Sequence, residues 1–112
     1  MIAAKVVLDA EGRLVRFEAS GHGGAPAGSD IVCAAFTVLA RTAYEALAAL
    51  PGAEVEGAAP GPGQLRFSVR RIEPGQAAKA EGIADFLLTG ISGLEREFPG
   101  RVGLSIERYW RE

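Results

Sequence analysis

A chain of 112 residues, 48% of them hydrophobic, has the size and apolar content of one domain, residues 1–112, built on one core. Its 12 Lys+Arg against 14 Asp+Glu leave a net charge of −2, which argues against the basic stripe that direct nucleic-acid binding would favour. One cysteine and one histidine exclude an internal disulfide and a dense Cys/His metal site within the chain, so no cofactor or metal is expected, and no apolar run approaches the ~20 residues of a membrane span.

In chain order, residues 2–9 and 13–20 are strand candidates. In the second, Val15 and Phe17 alternate with Arg16 and Glu18, so Val15 and Phe17 are expected to face the core. Asp9-Ala10-Glu11-Gly12 between them is turn chemistry and predicts an opening hairpin. Residues 21–28 hold Gly21, Gly23, Gly24, Gly28 and Pro26, a composition that neither a strand nor a helix tolerates, and read as a loop. Ser29 and Asp30 are N-cap residue types, and a helix begins at Ile31. Its predicted core stripe is Ile31, Ala35, Val38, Leu39, Thr42, Ala46 and Leu50, with Thr37, Arg41 and Glu45 on the polar side and Pro51-Gly52 as its stop. Strands follow at 54–57 and 64–71, where Leu65, Phe67 and Val69 alternate with Arg66, Ser68 and Arg70, separated by a rigid Pro/Gly loop at 58–63. A second helix spans about 77–98, with Ala80, Ile83, Leu87, Ile91, Leu94 and Phe98 on its apolar stripe and Gly82, Gly90 and Gly93 as candidates for close packing. A last strand covers 101–110. The order ββαββαβ, with short hairpins and two amphipathic helices, predicts an α/β (α+β) two-layer sandwich with a mostly antiparallel sheet.

The residues that can carry chemistry meet at one junction. Gly21-His22 opens the loop, and Gly28-Ser29-Asp30-Ile31-Val32-Cys33 closes it into the helix. With Asp30 as the N-cap, Cys33 is the third helical residue. A thiol there meets the positive end of the helix dipole and unpaired backbone N–H groups, which favour the thiolate, the reactive species. His22 across a flexible loop completes a nucleophile–base pair suited to acyl transfer. Asp30 has two readings. As the cap it sets a negative charge near the sulfur and uses an N–H; with Ser29 as the cap, Asp30 is available to orient His22. The alternatives stay open on residues alone: a lone cysteine is commonly a core residue and a lone histidine commonly structural. Arg66, Arg70, Arg71, Arg108 and Arg111 read as a solvated strand face, and Tyr44, Tyr109 and Trp110 as core or interface residues.

Gly21-His22, then Gly28-Ser29-Asp30-Ile31-Val32-Cys33-Ala34-Ala35 at a helix entry, resembles the signature of the ribosomal-processing cysteine protease family, Prp. That signature is Gly-His, a short glycine-containing loop, then Gly-x-Asp-Ile-Val-Cys-Ala-Ala. The length, the element order and the Pro-Gly stops are similar too. The resemblance implies a cytoplasmic bacterial homodimer in which Cys33 is the nucleophile and His22 its base, with Asp30 in support. It also implies that Gly21, Gly23, Gly24 and Gly28 shape a loop over substrate. The implied reaction removes a short N-terminal extension from a large-subunit ribosomal protein. Gly23-Gly24-Ala25-Pro26-Ala27 and Phe36-Thr37 depart from the common pattern at positions that touch substrate contacts and loop order, not the Cys–His pair. The competing reading is a non-catalytic ribosome-associated module with Cys33 in its core. A thiol redox sensor is disfavoured, because no second cysteine is present to resolve an oxidised Cys33.

Overall fold

The computed structural model describes residues 1–21, 31–59 and 64–108. Strands β1 (Ile2–Leu8) and β2 (Leu14–Ser20) form the expected hairpin, followed by helix α1 (Ile31–Ala48). Strands β3 (Glu54–Ala58) and β4 (Gln64–Arg71) come next. A 3-10 turn at Pro74–Gln76 leads into helix α2 (Ala77–Glu97), and β5 (Val102–Arg108) ends the described fold. The sheet order is β3-β4-β2-β1-β5. Every pairing is antiparallel except β1 with β5, which run parallel, and α2 carries the chain from β4 across the sheet to β5. The predicted α+β two-layer architecture is the one observed. The outer part of the last predicted strand, Tyr109 and Trp110, and residues 60–63 of the Pro/Gly loop lie outside the described residues.

Local chemistry explains the first turn. The Asp9 carboxylate accepts hydrogen bonds from the backbone N–H of Glu11 and Arg13, each at 3.0 Å, and from Arg13 Nε at 3.0 Å. It thereby supplies partners that a short turn lacks. Between Val7 and Leu8 the β1–β2 register shifts, so that Val7 faces Arg16 and Leu8 faces Leu14. Val15 is the extra residue. This corrects the simple alternation: Leu14, Phe17 and Ala19 are buried, while Val15 is only half-buried.

Three aromatic rings bind the two layers. Phe17 of β2 stacks on Phe67 of β4 at 5.2 Å between centroids, and on Phe36 of α1 at 6.1 Å. Tyr44 leans on Phe67 at 5.6 Å, which makes it a core residue as expected. The buried stripe of α1 is Val32, Phe36, Ala40, Ala43 and Leu47. The predicted stripe was offset by one position: Ile31 and Val38 are 73% and 64% exposed. By length and composition α1 could cross a bilayer, but here its Val32–Leu47 stripe packs in the core cluster with residues of the sheet, the pattern of a core helix. In α2 the predicted Ala80, Leu87 and Ile91 are buried, joined by Ala84, with Ile83, Leu94 and Phe98 packed at the margin. Gly90 sits where a Cβ would come within 2.8 Å of Leu39 of α1, so close packing explains this glycine. A Cβ on Gly82 would meet nothing within 4 Å. The described strand arginines behave as a solvated face, with Arg70 paired to exposed Glu56 at 3.0 Å and Arg71 to half-buried Glu73 at 2.9 Å, while Arg111 lies outside the described residues.

Candidate active site

Helix α1 begins at Ile31, which puts Cys33 in its first turn. The first N–H groups of a helix have no partner within it, so the thiol lies beside donors suited to an anion. Cys33 is half-buried against the core cluster. One turn on, Thr37 Oγ1 donates a hydrogen bond to the Cys33 carbonyl at 2.7 Å.

Cys33 opens into a cavity of about 310 Å³. The end of β2 (Ala19, Ser20, Gly21) and the start of β4 (Gln64, Leu65) make one wall. Cys33, Thr37 and Arg41 of α1 make the other, and Ile2, Phe36 and Ala59 complete its apolar part. A second concavity of about 540 Å³ continues from the same strand ends, sharing Ala19, Ser20, Gln64 and Leu65 and reaching Lys5, Glu18 and Arg66 on the sheet. It is larger, but among the described residues the thiol lines only the smaller one, and the chemistry belongs there.

Gly21 shows why the chain leaves β2 as it does. Its φ of +106° is in the region that glycine alone adopts at little cost, and a Cβ would collide with the Met1 carbonyl oxygen. The residue immediately before His22 therefore lines the same cavity as Cys33, across from it. His22 itself, Gly23, Gly24, Gly28, Ser29 and Asp30 lie outside the described residues. Among the described residues no cluster of His, Cys, Asp and Glu could hold a metal ion.

Thr37 and Arg41 lie on the exposed side of the helix as the sequence predicts, and what the sequence did not show is that both also line the cavity. The signal was present: positions 33, 37 and 41 recur at the i, i+4 spacing that aligns side chains along one helix face.

The family model for cysteine protease Prp matches residues 1–103, which include Gly21, Cys33 and everything between them. The chain belongs to the cysteine protease Prp family. Solved structures share the fold. The essential ribosomal processing protease Prp from S. aureus, crystallised with a covalently linked product peptide, superposes with a TM-score of 0.80 at 19% identity, covering 96% of this chain and 100% of that one. The same protease with a substrate peptide gives 0.76 at 18% identity, with 96% and 100% covered. The protein SMU.848 from Streptococcus mutans gives 0.79 at 28% identity, with 97% and 96% covered. A comparison with curated protein sequences finds no match. As a Prp-family cysteine protease, the chain has one residue of the kind its chemistry requires, since it contains a single cysteine.

Proposed function

We propose that the chain is a cysteine endopeptidase that removes the N-terminal extension of a bacterial large-subunit ribosomal protein, with Cys33 as nucleophile and His22 as base. It works in the cytoplasm as a homodimer. The observation that carries this reading is the position of the sole cysteine, in the first turn of α1 and in the wall of a cavity whose facing wall includes Gly21, the residue next to His22. The S. aureus protease of the same fold, held covalently to a product peptide, supports a peptide as substrate.

In the proposed reaction His22 takes the proton of the Cys33 thiol, and the sulfur attacks the scissile carbonyl carbon. The oxygen gains negative charge beside the first-turn N–H groups of α1. Collapse breaks the C–N bond, and His22 returns the proton to the leaving amine, leaving a thioester on Cys33. Water deprotonated by His22 then attacks the thioester, releasing a carboxylate and restoring the thiol. Asp30 supports the pair, and Gly21, Gly23, Gly24 and Gly28 belong to the loop that meets substrate.

Cys33→Ala, Cys33→Ser and His22→Ala are each expected to lower cleavage of the native ribosomal-protein N-terminus by about 10³-fold or more, with far-UV circular dichroism unchanged. Mass spectrometry of the ribosomal protein's N-terminus reads the outcome. Cleavage by Cys33→Ala at the wild-type rate overturns the assignment. Retained ribosome association with no cleavage by the wild type would leave a non-catalytic module.

A further inference from the structure

Among the described residues, the large apolar side chains left exposed are Met1, Ile31, Val38, Phe86 and Ile106. Met1 and Ile106 stand apart, one ahead of β1 and the other on the edge strand β5. The remaining three share the helical layer. Only five of the 18 residues of α1 are buried, all on the stripe from Val32 to Leu47 that packs toward the sheet. Helical spacing puts Ile31 and Val38 together on the opposite side. Helices α1 and α2 run antiparallel. The first starts beside Gly21 and leads to β3 at the Arg71 end of the sheet; the second starts at that end and returns to Val102 beside Ile2. Leu39 meets Gly90 at their seam. Phe86, four residues before Gly90, is on the same side of α2 and is 66% exposed. Phe86, Val38 and Ile31 therefore form one row along the outside of the seam, about 18 Å long from the helical rise per residue.

We infer that this row is the contact face for a second copy of the chain. The inference rests on the homodimer of the proposed function, to which it gives a face. The row is close to symmetric about Val38, with Phe86 about 7.5 Å along it to one side and Ile31 about 10.5 Å to the other. A two-fold axis crossing the helices at Val38 sets Val38 on its own mate. It brings each Phe86 within about 3 Å, along the row, of Ile31 in the other copy. Such self-matching is what an isologous contact requires. Gly90 and Ala35 beside the row are small, so nothing bulky holds the two rows apart. A bilayer is a poorer occupant. Exposed Arg41, Glu45 and Asp85 on the same outer layer mix both signs, without the Lys/Arg excess that holds a helix face to an anionic membrane.

The test is analytical ultracentrifugation of the full chain, with the wild type expected to sediment as a dimer at micromolar concentration. Val38→Glu sets two carboxylates face to face at the axis, and Phe86→Glu buries a charge against Ile31. Each is expected to weaken dimerisation by about 100-fold or more. Far-UV circular dichroism should stay unchanged, because both positions are exposed in the single chain. Ile106→Glu, off the row, should leave the dimer intact. Adding Ile31→Lys to Phe86→Glu should recover about tenfold, since the two meet across the axis. No recovery overturns the two-fold register at Val38. A dimer that survives both Val38→Glu and Phe86→Glu overturns the face and leaves the homodimer standing, whereas a wild-type monomer overturns both. A monomer that sediments with phosphatidylglycerol vesicles, and releases them on Val38→Glu, overturns the inference in favour of a membrane surface. The peptidase reading is judged separately, by cleavage of the ribosomal-protein N-terminus.

Discussion

Gly21 carries two constraints at one position. Its φ of +106° disfavours any residue with a Cβ, and the space that Cβ would need is filled by the Met1 backbone. Both obstacles are main-chain atoms, so rotamer adjustment cannot relieve them. Gly21→Ala is therefore expected to cost about 2 kcal/mol or more, read as a lower urea midpoint at unchanged slope. It should also lower kcat/KM, because the cavity wall moves with it. A variant that kept wild-type stability would show that the β2 end can move away from Met1 freely. The glycine-rich composition of the loop was plain in the sequence, but the separate role of Gly21 was not, since it depends on a contact with Met1, which the β1–β2 pairing brings beside it.

At the scale of the elements, the glycines of α2 divide by what faces them. Gly82 is exposed with open space around it, so Gly82→Ala should stabilise the chain by about 0.5–1 kcal/mol through helix propensity alone. Gly90→Ala gains the same propensity but drives a methyl group against Leu39 at the α1–α2 contact, and its net gain should be smaller or negative. Thermal melts of the two variants should differ in that order. The strands, both helices and their stops were legible because alternation, helical spacing and Pro-Gly pairs are local signals. The inward face of α1 was not. Two apolar stripes lie one residue apart, one through Ile31 and Val38 and the other through Val32 and Phe36, and periodicity weighs them equally. What decides between them is tertiary: Phe36 fits over Phe17, whose ring already stacks on Phe67. Thr37 and Arg41 read correctly as exposed, but their place in the site depends on the ends of β2 and β4 meeting the helix there, whereas Cys33 was legible because a loop composition, cap residue types and an apolar helix meet in sequence just before it.

For the whole molecule, the two helices cover one face of the sheet and leave the other to exposed residues such as Lys5, Glu18 and Arg66. The outer strand β5 is partly shielded at its edge, where the Glu95 carboxylate accepts the Leu104 N–H at 3.1 Å, a bond that leaves less backbone for a foreign strand to pair with. The proposed homodimer is read by light scattering coupled to size exclusion at micromolar concentration: twice the chain mass is expected, and a clean monomer mass discards it. Ile2 lines the cavity beside Cys33, and the Met1 carbonyl abuts Gly21 at its edge. The parallel pairing of β1 with β5 sets Ile2 beside Val102 and Leu8 beside Arg108, so the chain leaves β5 at the far end of the sheet, about 20 Å away. Any segment fused ahead of Met1 is thus tethered at the mouth of the cavity at an effective concentration in the millimolar range, a built-in competitor for incoming peptide. A handle for purification or immobilisation belongs at the other terminus.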